Sequence, residues 1–407
     1  MKNNTEYTEN SHCLVCERPI DFIYLDLGNQ PLANSYHRGE QLKRYPLQLL
    51  LCTHCWHSQL SVLVNPKEMF EHYLYVSDTS KTLTDYFRWV TGYIIGQADQ
   101  PKTVLEIACN SGLLLEMFQN EGLVCHGVDP AKNLRELSEQ KNLNVFVDYW
   151  NTKFSNYLKG ECGKFDLVLA FHVLPHVENP NDFISACKNI LSSNGKIFVQ
   201  TSQCDMFLNG EFDVIYHEHS SYFTANSIKE LAHRNELYIS SIIKTNIHGK
   251  SFLFSLQTEP CDEFQLNELI ELERSAGIYT REKYLEFAAN AVILKNKLLF
   301  ELNKFRNNNY VMIGYGAAAK GNTLLNFIDF KLDYIIDDNP MKWGYLTPGA
   351  NIPIHSIELL KTLPQKICFV PLAWNFYDEI VERIKKIRYI KDDIFIKYYP
   401  QFLIETL

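Results

Sequence analysis

Thr103-Val104-Leu105-Glu106-Ile107-Ala108-Cys109-Asn110-Ser111-Gly112 is the stretch from which the rest of the chain can be read. Val104 to Ile107 reads as a short buried strand, with Glu106 as its one charge. Cys109 to Gly112 is small and turn-forming, and Leu113 to Phe118 is an apolar run of helical type. Strand, tight turn and helix form the opening unit of a doubly wound sheet, whose ligand crevice lies at the carboxyl end of the strands. The turn is not the dinucleotide glycine fingerprint, because it has one late glycine and an acid inside the strand.

Outward from this unit, strand and helix alternate. Strands are expected at Val124–Val128, ending in Asp129, and at Val145–Val147, ending in Asp148. Two more are expected at Phe165–Ala170 and, after a helix at Asn181–Leu191 and a turn at Asn194-Gly195, at Lys196–Thr201. Strands separated by helices of about ten residues imply a parallel sheet. Asp129 follows Glu106 by 23 residues and ends the next strand. An acid there can accept hydrogen bonds from both hydroxyls of a ribose. The plain alternative is a cap for the helix that begins near Ala131. Asp148 is a second candidate, for an adenine end.

Upstream, Cys13-Leu-Val-Cys16 and Cys52-Thr-His-Cys55 are separated by 35 residues. Two such knuckles supply four thiolates to one tetrahedral zinc, and a closed sulfur shell is structural. Four unrelated thiols or a redox pair are the alternatives. Residues 66 to 100 read as mostly helical.

Downstream of the fourth strand, Phe171-His172-Val173-Leu174-Pro175-His176-Val177 and then Tyr216-His217-Glu218-His219-Ser220-Ser221-Tyr222-Phe223 gather imidazoles, phenols and an acid on loops at the crevice end. If the second segment were extended, His217 and His219 would share a face and could ligate a metal. A helix is expected over Ser227–Asn235, strands at Tyr238–Lys244 and Ser251–Gln257, and one or two helices over 264–305. The last part opens with strand Tyr310–Ile313, the turn Gly314-Tyr315-Gly316 and a helix from Ala317 to Ile328. Helix-start N–H groups with Lys320 can cradle phosphate; tight helix–sheet packing is the competing reason for such glycines. Strands at Asp333–Ile336 and Ile367–Val370 and a helix at Asp378–Ile387 complete a second, smaller α/β unit.

The chain has 407 residues, 46% hydrophobic, with net charge −9 and eleven cysteines. That length allows two or three domains. The sequence has no stretch of about eighteen apolar residues, the length a membrane span needs. The absence of a basic run argues against nucleic acid. The polar N-terminus and dispersed cysteines lead us to expect a cytoplasmic protein. The absence of a heptad repeat leads us to expect a monomer.

Glu106-Ile-Ala-Cys-Asn-Ser-Gly112 resembles the first motif of class I S-adenosylmethionine-dependent methyltransferases, with Ala108 and Asn110 where their turn carries glycines. Asp129 matches their ribose-binding acid. The order of parts runs from cysteine knuckles through Pro31-Leu-Ala-Asn34 to the methyltransferase core, the Tyr216–Tyr222 segment and Gly314–Asn322. Taken together it resembles the sugar C-methyltransferases that act on nucleotide-linked 4-ketohexoses.

The resemblance implies a zinc-binding domain over 1–66, a class I methyltransferase Rossmann-like core over 67–260 and a Rossmann-like α/β domain over 261–407. It implies S-adenosylmethionine at Glu106, Ala108, Asn110, Gly112, Asp129, Asp148 and His172, and structural zinc at Cys13, Cys16, Cys52 and Cys55. A nucleotide-diphosphate sugar would lie against Asn34, Gly314, Gly316, Lys320, Asn322 and Lys342.

C-methylation at a carbon beside a ketone needs a base and oxyanion donors. His219 is expected as base and Tyr216 and Tyr222 as enolate or sugar contacts. Glu218 would orient the sugar or a histidine. His176 would donate to the keto oxygen or share the proton, and Tyr75 would reach the sugar. The competing functions are an O- or N-methyltransferase of another small polar molecule and a non-catalytic binding module.

Overall fold

Thr103–Ile107 forms the central strand, and all but its first residue is buried. Period-two alternation sends Leu105 and Ile107 into one apolar cluster and Val104 into the cluster on the opposite face. A strand covered on both faces needs a near-continuous apolar run, which is why Glu106 stands out in it. Each fully buried Val, Leu or Ile contributes roughly 1.5–3 kcal/mol over the exposed state.

The computed structural model describes residues 7–71, 81–202, 205–247 and 250–406. The chain forms two compact units, each assembled from separate segments. The first comprises Met1–Phe22, Leu50–Asp205 and Glu218–Tyr279; the second comprises Ile23–Leu49, Met206–His217 and Thr280–Leu407.

In the first unit, strands β1 (Thr103–Ile107), β2 (Val124–Val128), β3 (Asn144–Phe146), β4 (Phe165–Phe171), β5 (Leu191–Ser202), β6 (Tyr238–Thr245) and β7 (Ser251–Gln257) make one sheet. Their order across it is β3-β2-β1-β4-β5-β7-β6. The first five are parallel, and β7 pairs antiparallel with both β5 and β6. This is the class I methyltransferase sheet. Its order reverses between β1 and β4, so the crevice opens at their carboxyl ends.

Local chemistry places the helices. Asn179 caps Pro180–Ile190 by accepting from the Asp182 N–H, with Pro180 in the first turn where its missing donor costs nothing. Thr224 and Ser227 form a capping box at Ala225–Arg234. The expected turn at Asn194-Gly195 is instead an irregularity inside β5, with a register shift between Leu191 and Lys196.

In the second unit, β8 (Val311–Tyr315), β9 (Tyr334–Ile336), β10 (Ile354–His355), β11 (Ile367–Pro371), β12 (Ile394–Lys397) and β13 (Leu403–Thr406) form a six-stranded sheet ordered β10-β9-β8-β11-β12-β13. Only the β12–β13 pairing is antiparallel. The switch point falls after β8, at the glycine turn. The long helical stretch before it resolves into two helices, Phe264–Ser275 and Arg281–Asn307, separated by Gly277 with φ +82°. Among the described residues, no helix is long and apolar enough to cross a membrane.

Candidate active site

The turn after β1 is built from left-handed residues. Ala108, Asn110 and Gly112 have φ of 58°, 53° and 77°. The N–H groups of Ala108 and Cys109 both donate to the Val128 carbonyl, at 2.7 and 3.3 Å. Asp129 stitches two turns: its Oδ2 accepts from the Asn110 N–H and its Oδ1 from the Ala131 N–H, each at 2.8 Å. The cap alternative does not hold: the 3-10 turn Lys132–Leu134 begins after Ala131 without a side-chain cap, and the Asp129–Ala131 bond closes a turn ahead of it. Each carboxylate oxygen still has a second lone pair for a ligand hydroxyl.

Glu106 is 4% exposed, and its Oε2 has no hydrogen-bond partner among the described residues. Burial, then the Asp129 charge, holds its carboxyl well above the usual range. A buried acid left unsatisfied costs free energy. A ligand bringing positive charge and hydroxyls would relieve it, and S-adenosylmethionine carries both. Asp148 sits past β3, exposed, with one oxygen accepting its neighbour's N–H. His172 follows β4 with φ +54°, its N–H on the Gln200 carbonyl at 2.8 Å.

The imidazole cluster lies past β4. His176 ends a 3-10 turn at Leu174–His176. Its Nδ1 is 2.7 Å from the Glu218 carbonyl oxygen. A carbonyl only accepts, so Nδ1 carries the proton and Nε2 keeps a lone pair. Burial pushes His176 down to about 4, partly offset by that hydrogen bond, so the ring is neutral near pH 7. A neutral ring protonated at Nδ1 has no second N–H for a keto oxygen.

The His219 ring lies 4.8 Å from that of His176 and 6.3 Å, edge-on, from that of Tyr222. Ser220 fastens this segment to the His176 turn, donating to the Pro175 and Val177 carbonyls at 3.0 and 2.9 Å. Ser221 and Tyr222 pair antiparallel with Gln59 and Ser58.

Tyr216 and His217 belong to the second unit, Glu218 to Tyr222 to the first. His217 is at a turn and not on a strand, so it does not alternate with His219 on one face. Its Nε2 meets the Pro46 carbonyl at 3.3 Å, and burial pushes it down to about 4. Among the described residues, the metal-binding cluster found is the cysteine quartet. Tyr75 lies outside the described residues.

That quartet has all four sulfurs within 4.8 Å of one another, with Cys13–Cys55 and Cys16–Cys52 at 3.5 Å. Tetrahedral zinc–sulfur bonds of about 2.3 Å ask for sulfur separations near 3.8 Å. The two knuckles repeat one design. Glu17 and Trp56, each following the second cysteine, have φ of 60° and 61°. Each donates its N–H to the carbonyl of its knuckle's first cysteine, at 2.9 and 2.8 Å. The donor set fits a structural zinc.

In the second unit, the switch-point turn is organised as the β1 turn is. Gly316 donates to the Ile336 carbonyl at 2.7 Å, and Asp337 accepts from Ala317 and Asn339 N–H groups at 2.6 and 2.8 Å. The glycines are close-packed: a Cβ on Gly314 would meet Ile335 at 2.5 Å, and one on Gly316 would meet Ala373 at 2.9 Å. Packing, the competing reason for these glycines, is thus satisfied.

Lys342 donates to the Ala317 carbonyl at 2.7 Å and stands 3.6 Å from Asp337. Lys320 lies over the Trp374 ring at 4.5 Å. Asn322, 1% exposed, spends its amide on the Ala33 carbonyl at 2.8 Å, so it orders the loop that carries the exposed Asn34. Tyr36, Asp337 and Trp374 complete this surface and went unmarked as site residues in the sequence, because their roles depend on contacts distant along the chain.

Three family models match in succession: a zinc binding domain over 13–70, a methyltransferase domain over 82–242 and a C-methyltransferase C-terminal domain over 246–400. C-methyltransferase NovU of Streptomyces niveus is 26% identical over 395 residues, covering 92% of each chain. A ubiquinone biosynthesis O-methyltransferase of Glaesserella parasuis is 34% identical over 108 residues, covering 25% of this chain and 45% of that protein. Among solved structures, PH0226 from Pyrococcus horikoshii aligns with 48% of this chain and 97% of its own at 15% identity and a TM-score of 0.38. With the three models matched in that order along one chain, this protein is a methyltransferase built of a zinc binding domain, a methyltransferase domain and a C-methyltransferase C-terminal domain.

Proposed function

We propose that the protein uses S-adenosylmethionine to methylate carbon on a nucleotide-linked 4-keto-deoxy sugar, with position 3 favoured, in branched deoxysugar biosynthesis. The observation that carries this reading is the His176–His219–Tyr222 cluster at the carboxyl end of β4, with His176 locked as a neutral Nδ1–H tautomer. Oxygen and nitrogen acceptors already have a lone pair to attack a sulfonium. Carbon acquires one only when a base removes a proton beside the ketone, and a paired imidazole site supplies that base.

S-adenosylmethionine, held by Glu106, Asp129 and the Ala108–Gly112 turn, supplies an electrophilic methyl group. His219 takes the ring proton and the neutral His176 shares it through Nε2. The Tyr222 phenol, with Tyr216 and Tyr75, contacts the enolate or the sugar hydroxyls. Asn34, Lys320 and Lys342 meet the nucleotide diphosphate.

The test supplies S-adenosylmethionine and a panel of nucleoside-diphosphate 4-keto-6-deoxyhexoses, and identifies the methylated atom by NMR. A methyl on oxygen or nitrogen instead of carbon sinks the proposal. Replacing His219→Asn is expected to slow solvent deuterium exchange beside the ketone by some 10²–10⁴-fold. Undiminished exchange removes His219 as the base.

A further inference from the structure

The strand Ser58–Leu60 follows the second cysteine knuckle directly and is fully buried. Both knuckles grip it. Gln59, 0% exposed, accepts from the Leu14 N–H at 2.8 Å and donates to the His12 carbonyl at 2.9 Å, on either side of Cys13. His57, also 0% exposed, offers its carbonyl to the Cys52 N–H at 2.9 Å. Its Nε2 lies 3.2 Å from the Ser221 Oγ, and its ring packs 4.8 Å from Phe223. Across the strand, Leu60 donates its N–H to the Ser220 carbonyl at 3.0 Å, and Ser58 and Gln59 pair with Tyr222 and Ser221. The segment bearing His219 and Tyr222 is thus hung on the knuckles by a short strand and one imidazole.

We propose that His57 is a positioning residue that carries the geometry of the second knuckle to Ser221 and so sets where His219 and Tyr222 stand. The inference rests on the proposed role of that segment in proton abstraction. It gives the cysteine domain a part in catalysis: the zinc shell holds the strand, and the strand and His57 hold the imidazole. Small displacements of a catalytic group cost much in rate, on the order of 10²-fold for about 1 Å.

The test uses full-length, zinc-loaded protein. His57→Leu is expected to keep its zinc and its KM for S-adenosylmethionine within about 2-fold, while kcat falls on the order of 10²-fold. Backbone amide exchange at Leu60 and Tyr222, the residues in the hydrogen-bonded pairs of this ladder, read without any acceptor, should quicken about tenfold or more as local opening becomes easier. His57→Gln, which places an amide nitrogen near the Nε2 position, should restore most of both. Wild-type exchange at these amides in His57→Leu overturns the inference, and so does loss of zinc or of protection throughout the sheet. If His57→Leu does not fold, Ser221→Ala decides: it must show the same local quickening, and unchanged exchange overturns the proposal. The exchange result stands even if no 4-keto sugar is methylated, an outcome that would instead sink the proposed function.

Discussion

Ala108 and Asn110 both adopt the positive φ that glycine would take freely. For alanine that backbone costs roughly 1–2 kcal/mol. The strain persists because the Ala108 and Cys109 N–H groups share the Val128 carbonyl and Asp129 holds Asn110. Ala108→Gly should therefore raise stability by about 1 kcal/mol or slightly less, once the entropy of the freer unfolded chain is counted. Gly112→Ala should do the opposite. Its φ is +77°, and a Cβ would lie 2.4 Å from Leu143 Cδ1, a buried core atom. A loss of about 1–3 kcal/mol is expected from overpacking alone. Urea titration of the two variants checks both signs. Equal midpoints would mean that the turn is not under the strain its dihedrals describe.

At the scale of elements, the helix Ala319–Ile328 and the segment Phe212–Ile215 show what sequence patterns reveal and what they hide. Periodicity alone places the helix within two residues of its observed start. It also places Ser251–Gln257, buried at all but its last residue, where it is found, because buried strands advertise themselves by apolar runs. The cysteine quartet is legible for a similar reason: metal ligation restricts residue type and spacing together. Thr323, by contrast, donates to the Ile215 carbonyl at 2.9 Å across 108 positions. Asp213, 2% exposed, accepts from Trp374 Nε1 at 2.7 Å and from the Tyr398 hydroxyl at 3.1 Å. The His176–Glu218 and His57–Ser221 bonds are of the same kind. Such bonds leave no mark on local periodicity, since any donor at the right place in space would serve. Burial pushes the Asp213 carboxyl up, with nearby Lys320 the first group to oppose it. Trp374→Phe removes one donor from that buried acid. A cost of about 1–3 kcal/mol in denaturant unfolding is expected, the penalty of an under-satisfied buried acceptor. No change would show that the indole bond is dispensable.

For the whole molecule, two sheets of the doubly wound type each present a switch-point turn closed by an acid at the end of the neighbouring strand: Asp129 after β2 and Asp337 after β9. The order of elements along the chain makes both units readable. The return of Ile23–Leu49 and Met206–His217 to the second unit is not readable, because a loop's choice of partner lies in packing rather than pattern. Glu106 brings to its turn a buried carboxyl with one unpartnered oxygen, whereas the Gly314–Gly316 turn is close-packed and its lysines already have partners. The two turns should therefore answer to different ligands. S-adenosylhomocysteine at about one hundred times its dissociation constant is expected to add about 2.7 kcal/mol to the opening of the unit it binds. In hydrogen-exchange mass spectrometry that protection should centre on peptides spanning Glu106–Gly112 and Asp129. A nucleoside diphosphate given alone should protect peptides spanning Gly314–Lys320 and leave the first turn at its unliganded rate. Protection of the second turn by S-adenosylhomocysteine, with the first unchanged, would reverse the assignment of cofactor and substrate to the two sheets.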